Sequence, residues 1–144
     1  MIKVEKPRTN KGLAILCAKL AEEKLATDIL ILDLEKNENS PANYFVICTC
    51  DTEVQAKALI DFTLNVCRDL GIERPRIEGQ TNKEWVLMDF FDVVFHIMKK
   101  ETRNYYKLEK LWADADFIKI SESGRTIKVK YEEIREIFDD NILN

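Results

Sequence analysis

Leu13, Leu16, Cys17, Leu20 and Ala21 fall at i, i+3, i+4, i+7 and i+8, with Lys19, Glu22 and Glu23 between them. That spacing predicts a helix with one apolar face, capped by Thr9 or Asn10. The period then changes. Ile29-Leu30-Ile31-Leu32 is continuously apolar, as in a central strand covered on both faces, and predicts a strand over residues 28–34. Asn, Ser and Pro fill a polar connector before a second predicted strand over 44–50. The connector is too short for a helical crossover, so the two strands are expected to be antiparallel.

Asp51-Thr52 opens the longest predicted helix. Thr52 and Gln55 form a capping box, Leu59, Phe62, Val66 and Leu70 a buried stripe, and Gly71 stands where a left-handed C-cap is wanted. Residues 74–78 predict a short strand that Pro75 confines to a sheet edge. From Trp85 to Met98, Val, Phe, Ile, Met and Trp dominate, and the stretch reads as two strands joined at Phe90-Phe91. Alternation puts Trp85, Leu87 and Asp89 on one face of the first strand, and Val94, His96 and Met98 together on the second. Tyr105, Leu108 and Trp112 then recur at i, i+3 and i+7, with Leu111 beside them, which predicts an aromatic helix. Residues 117–144 predict a hairpin about Ser123-Gly124 and a helix with Ile134, Ile137 and Phe138 on one side. The order αββα, three strands, α makes this an α/β fold: a mixed sheet of about five strands with flanking helices.

A chain of 144 residues, 46% hydrophobic and 33% charged, has the composition of one globular domain. We expect it to span residues 1–116, with 117–144 as a C-terminal extension. No signal peptide and no stretch of roughly 20 apolar residues is present, which points to the cytoplasm and away from membranes. The net charge of −4 argues against phosphate-backbone binding as the main source of affinity. Yet Lys99, Lys100, Arg103, Lys107 and Lys110 stand against only Glu101 and Glu109, a local excess of +3, and any contact with nucleic acid would come from there. Cys17 and Cys67 sit in helical stripes, and Cys48 and Cys50 share one strand face. No second pair completes a zinc site, so all four read as buried, reduced thiols.

Glu78-Gly79, Trp85-Val86-Leu87, Asp89, Asp92-Val93-Val94, His96, Arg103, Tyr105-Tyr106, Leu108-Glu109, Leu111-Trp112 and Asp114-Ala115 together form an ordered pattern. With residues 26–34 and 44–47 upstream, it resembles the Iojap family, the bacterial ribosomal silencing factors. The likeness covers Leu13 to Ala115. It implies a fold related to nucleotidyltransferases and a translational repressor. Such a repressor binds the large ribosomal subunit, on its fourteenth-numbered protein at the subunit interface, and blocks joining of the small subunit when nutrients are scarce. Two positions depart from the family pattern. Its turn usually carries glycine where Phe91 stands, so the hairpin must form without glycine's freedom. Its serine before the second helix is Thr52 here, an equally good cap.

The chain's own residues offer little for catalysis. A nucleotidyltransferase needs paired carboxylates for magnesium and a Gly-Ser turn for phosphates; no Gly-Ser dipeptide occurs, and Asp114-x-Asp116 follows a helix. Asp89, Asp92 and His96 are the best candidates for an alternative, metal-dependent or nucleotidyltransferase-like, active site. Trp85, Tyr105, Tyr106 and Trp112, near Arg103 and Lys107, have instead the chemistry that dominates protein interfaces. Tyr106 and Arg103, off the helical stripe, are expected to face a partner. The predicted partner-binding surface and its supporting shell comprise Trp85, Asp89, Asp92, His96, Arg103, Tyr106, Glu109 and Trp112, with no catalytic residue, cofactor or metal. A third role, homodimerisation, would use the sheet edge near residues 74–78.

Overall fold

The computed structural model describes residues 4–134. Helix α1 (Asn10–Glu23) leads into β1 (Thr27–Asp33) and β2 (Tyr44–Thr49), then α2 (Glu53–Leu70). Strands β3 (Arg76–Glu78), β4 (Trp85–Asp89) and β5 (Val93–Met98) follow, then α3 (Lys100–Tyr106), α4 (Leu108–Leu111), β6 (Asp116–Ile120) and β7 (Thr126–Val129). The predicted order of elements is present, and β1 and β2 are antiparallel. Among the described residues the sheet has seven strands, not five, in the order β3-β4-β5-β2-β1-β6-β7. The two extra strands are the predicted Ser123-Gly124 hairpin, which joins the same sheet because β6 pairs with β1. Among the described strands only β2 and β5 run parallel, and the α2–β3–β4 excursion makes that crossover.

The helix ends follow local chemistry. Thr9 accepts from Gly12 N–H at 2.9 Å, so threonine rather than asparagine caps α1. Thr52 accepts from Gln55 N–H at 3.0 Å, and Gln55 Oε1 takes Asp51 N–H. Gln55 Nε2 also donates to the carbonyls of Lys24 and Leu25, tying α2 to the turn after α1. Gly71 closes α2 at φ +72, and Ile72 N–H reaches back to Cys67 O.

Two apolar layers sandwich the central strands. On one face α1 and α2 press Leu16, Leu20, Leu59 and Ile60 against Ile31, Val46, Met88, Phe95 and Ile97. On the other, Leu30, Leu32, Phe45, Ile47 and Met98 pack with Leu108, Phe117 and Ile134. The second layer leaves alternate residues of β4 uncovered: Val86 and Met88 are buried, whereas Trp85, Leu87 and Asp89 are half-exposed. All four cysteines are buried, free thiols. Ile134 belongs to the core, while Ile137 and Phe138 lie outside the described residues.

The aromatic helix is not one helix. It breaks at Lys107, which adopts φ +48, so α3 and α4 are separate pieces. The predicted stripe therefore splits: Leu108 is buried, but Tyr105 is 80% and Leu111 69% exposed. The β4–β5 turn shows what replaces glycine. Phe91 itself takes φ +78, a conformation that costs an L-residue roughly 1–2 kcal/mol. Its N–H donates to Asp89 Oδ1 at 2.7 Å, and Phe90 N–H donates to Val93 O at 2.8 Å.

Candidate docking face

The exposed side of β4 and the α3–α4 segment meet through a run of rings. Trp112 meets Phe45 edge-on at 5.9 Å, and Phe45 meets His96 at 4.6 Å. Trp85 packs on His96 at 6.0 Å and on Tyr106 at 4.9 Å, and Tyr106 meets Tyr105 edge-on at 4.9 Å. The series starts near the core and ends in solvent. Phe45 and His96 are buried, Trp85 and Trp112 half-buried, and Tyr106 and Tyr105 exposed.

One hydrogen bond fixes the middle of the series. Trp85 Nε1–H donates to His96 Nδ1 at 3.1 Å. An indole can only donate, so Nδ1 is unprotonated and the neutral ring carries its proton on Nε2. Burial, and secondarily the positive charge of Arg103, lowers the His96 pKa to about 3. His96 is thus a neutral acceptor that orients Trp85, and its only lone-pair nitrogen is already engaged.

Inside the α3–α4 segment lies an ion pair that charge alone would have placed outside. Arg103 Nε donates to Glu109 Oε1 at 2.7 Å, with side chains 2% and 5% exposed. Arg103 Nη1 also donates to Thr49 Oγ1 at 2.9 Å and to the carbonyl of Asp28. That carbonyl lies where β1 bulges between Thr27 and Leu30, with Asp28 at φ +47. The pair spans the Lys107 break, so it clamps α3 to α4 and both to the ends of β1 and β2. Arg103, expected to face a partner, lies beneath the surface instead. A cation this deep is held because it is paired and hydrogen-bonded.

The remaining predicted residues fall at the turn. Asp89 serves the turn backbone through Phe91 N–H. Asp92, half-buried, contributes its carbonyl to Asn43 and Tyr44 N–H. The register sets Asp89 opposite Val94 and Leu87 opposite His96, so the two aspartates are not drawn to the imidazole. Among the described residues no group of three His, Cys, Asp or Glu side chains is placed to hold a metal ion.

Of the eight predicted residues, the structure brings Trp85, His96, Arg103, Tyr106, Glu109 and Trp112 into one contiguous assembly, as outer face and inner support. Phe45, Thr49 and Tyr105 complete it and were not in the predicted set. Tyr105, one of the interface-type aromatics of the sequence, falls on the predicted helical stripe and is turned out to solvent because the helix breaks at Lys107. Lys99, Lys100, Lys107 and Lys110 lie on the same segment, half-buried or exposed, and since Arg103 and Glu109 neutralise each other inside, the local +3 is displayed at the surface.

Comparison with known proteins decides the family. Residues 7–140 match the family described as ribosomal silencing factor during starvation. The chain belongs to that family. The ribosomal silencing factor of Bacillus subtilis is 38% identical over 105 residues, covering 73% of this chain and 88% of that protein. A mouse protein named for mitochondrial assembly of the ribosomal large subunit is 30% identical over 101 residues, 68% of this chain and 44% of its own length. A crystal structure of a protein from Chromobacterium violaceum superposes with a TM-score of 0.67 at 32% identity, covering 72% of this chain and 86% of that one. The mixed α/β fold, and the resemblance to ribosomal silencing factors, are therefore those of the family. No helix among the described residues is long and apolar enough to cross a membrane.

Proposed function

We propose that this protein represses translation in the cytoplasm by binding the large ribosomal subunit through the Trp85–Tyr106 face. There it contacts the fourteenth-numbered protein at the subunit interface and keeps the small subunit from joining under nutrient limitation. Family membership supports ribosome silencing, and the mouse relative's name supports the large subunit as the place of action. The observation that carries the docking assignment is the exposed aromatic cluster, Tyr105 at 80% and Tyr106 at 53% exposure, set on a buried support. Tyrosines bury large area with few rotatable bonds, so presenting them pre-ordered lowers the entropic cost of association.

The mechanism is steric and needs no bond chemistry from the protein. Tyr105 and Tyr106 anchor, Trp85 backs Tyr106, and His96, Arg103 and Glu109 hold that backing in place. The surrounding lysines suit neighbouring rRNA phosphates and contribute a salt-dependent share of the affinity.

Sedimentation with purified large subunits tests this. The wild-type protein should co-migrate with large subunits and reduce their joining to small subunits. Tyr105→Ala with Tyr106→Ala should weaken binding at least ~30-fold, the loss of one interface hot spot. Undiminished co-migration of that double variant removes the site assignment; absence of wild-type co-migration removes the function.

A further inference from the structure

Phe91 is the most exposed large apolar side chain among the described residues, at 83%. It also holds φ +78, where a side chain is strained and glycine is not. Its burial does not account for it, and neither does the turn. The bonds that close the turn, Phe91 N–H to Asp89 Oδ1 and Phe90 N–H to Val93 O, involve no atom of the Phe91 ring. The fold would be served better by glycine. A strained backbone that displays an aromatic ring in water points to work outside the folded monomer.

The ring's surroundings say what kind of partner fits. Phe91, Phe90 and Asp89 border a recess of about 320 Å³ whose other walls are Glu73, Arg74 and Arg76. Arg74 and Arg76 are balanced there by Glu73 and Asp89, and Arg76 also meets Glu78 at 3.8 Å, so the rim carries no net charge and the exposed ring fits an apolar socket bordered by mixed polar groups. The position links it to the face already described. Trp85, Leu87 and Asp89 line one side of β4, with Arg76 and Glu78 beside Asp89 and Leu87 on β3. This uncovered strip runs from the Trp85–Tyr106 stack to the hairpin tip. At about 3.3 Å per residue it is roughly 20 Å long, within the reach of one interface of ordinary size, about 800 Å² per partner.

We propose that Phe91 is a second anchor, which inserts its ring into an apolar socket of the same ribosomal protein that the Tyr105–Tyr106 cluster engages. The footprint then extends along β4 from α3 to the β4–β5 turn. This rests on the docking assignment above. It also predicts opposite signs for stability and affinity at a single residue, which a structural role would not produce.

The test compares Phe91→Gly, Phe91→Ala and Phe91→Tyr by thermal unfolding and by binding to purified large subunits. Phe91→Gly should unfold at or above the wild-type temperature and bind about ten-fold more weakly. Phe91→Ala should bind as weakly without the gain in Tm, and Phe91→Tyr should retain binding. If wild-type and Tyr106 variants behave as proposed but Phe91→Gly binds with wild-type affinity, the second anchor is refuted and the docking face stands. If the wild-type protein does not bind large subunits, both fall. If the Phe91 variants lose affinity equally for isolated large-subunit rRNA, the ring stacks on a base and the protein socket is wrong.

Discussion

Replacing Glu109 by alanine is the most informative perturbation of the support. It leaves the Arg103 guanidinium buried, with its bonds to Thr49 and Asp28 but without the Glu109 carboxylate. Breaking a buried pair from one side costs about 3–5 kcal/mol, because the desolvation of the surviving ion is no longer offset. Unfolding entropy of about 2.1 cal/mol/K per residue, over 144 residues, is about 0.3 kcal/mol/K. The variant should therefore melt roughly 10–17 °C lower. Arg103→Met combined with Glu109→Leu removes both charges and keeps apolar volume, and should recover most of that loss. Calorimetric Tm values and urea midpoints for the single and double variants provide the check. A Glu109→Ala loss below about 3 °C would mean that water screens the pair, and a double variant no more stable than the single would mean that packing, not charge, is what Glu109 supplies.

Three further outcomes follow from the same geometry. His96 is held neutral with a pKa of about 3, whereas unfolded it protonates near 6.5. Its stabilising contribution is complete above pH ~6.5 and is lost at about 1.4 kcal/mol per unit as pH falls toward 3. Unfolding free energies measured from pH 7 to 5 should show this slope, and His96→Phe should lack it. Thr52→Ala removes the N-cap bond of α2 and should cost about 1 kcal/mol in urea unfolding. Cys67, buried and raised to about 11, should react with a thiol reagent only as fast as the protein unfolds.

Much of the fold was legible because its signals are local. The two-sided apolar run of β1, the capping of α2 by Thr52 and Gln55, and the left-handed Gly71 each follow from a few neighbouring residues. The α3–α4 break was not legible, since lysine does not mark a left-handed position. That break in turn hid the ion pair. On an unbroken helix Arg103 would meet residues three or four away, whereas Glu109 is six away and reaches it only across the joint. Nor could alternation along β5 show that His96 is closed over by Phe45 from β2. The strand count fell short for a similar reason: the 117–129 hairpin was visible, but its pairing with β1, some 85 residues earlier in the chain, was not.

The arrangement separates two tasks that a sequence of aromatic and charged residues blends together. Trp85 is bonded to His96 and Arg103 to Glu109 within the monomer, and the buried ion pair ties α3 to α4. Tyr105, Tyr106 and Phe91 are left for water or a partner. A factor that acts by occupying a surface is governed by how long it stays, and residence time is set largely by contacts that must break on leaving. Changes in the exposed aromatics should then shorten the bound lifetime with little change in encounter rate, whereas changes in the lysines around them should alter encounter and its salt dependence. A support defect such as Glu109→Ala should combine the two classes, because it loosens the α3–α4 joint and also removes one negative charge from the field that guides approach.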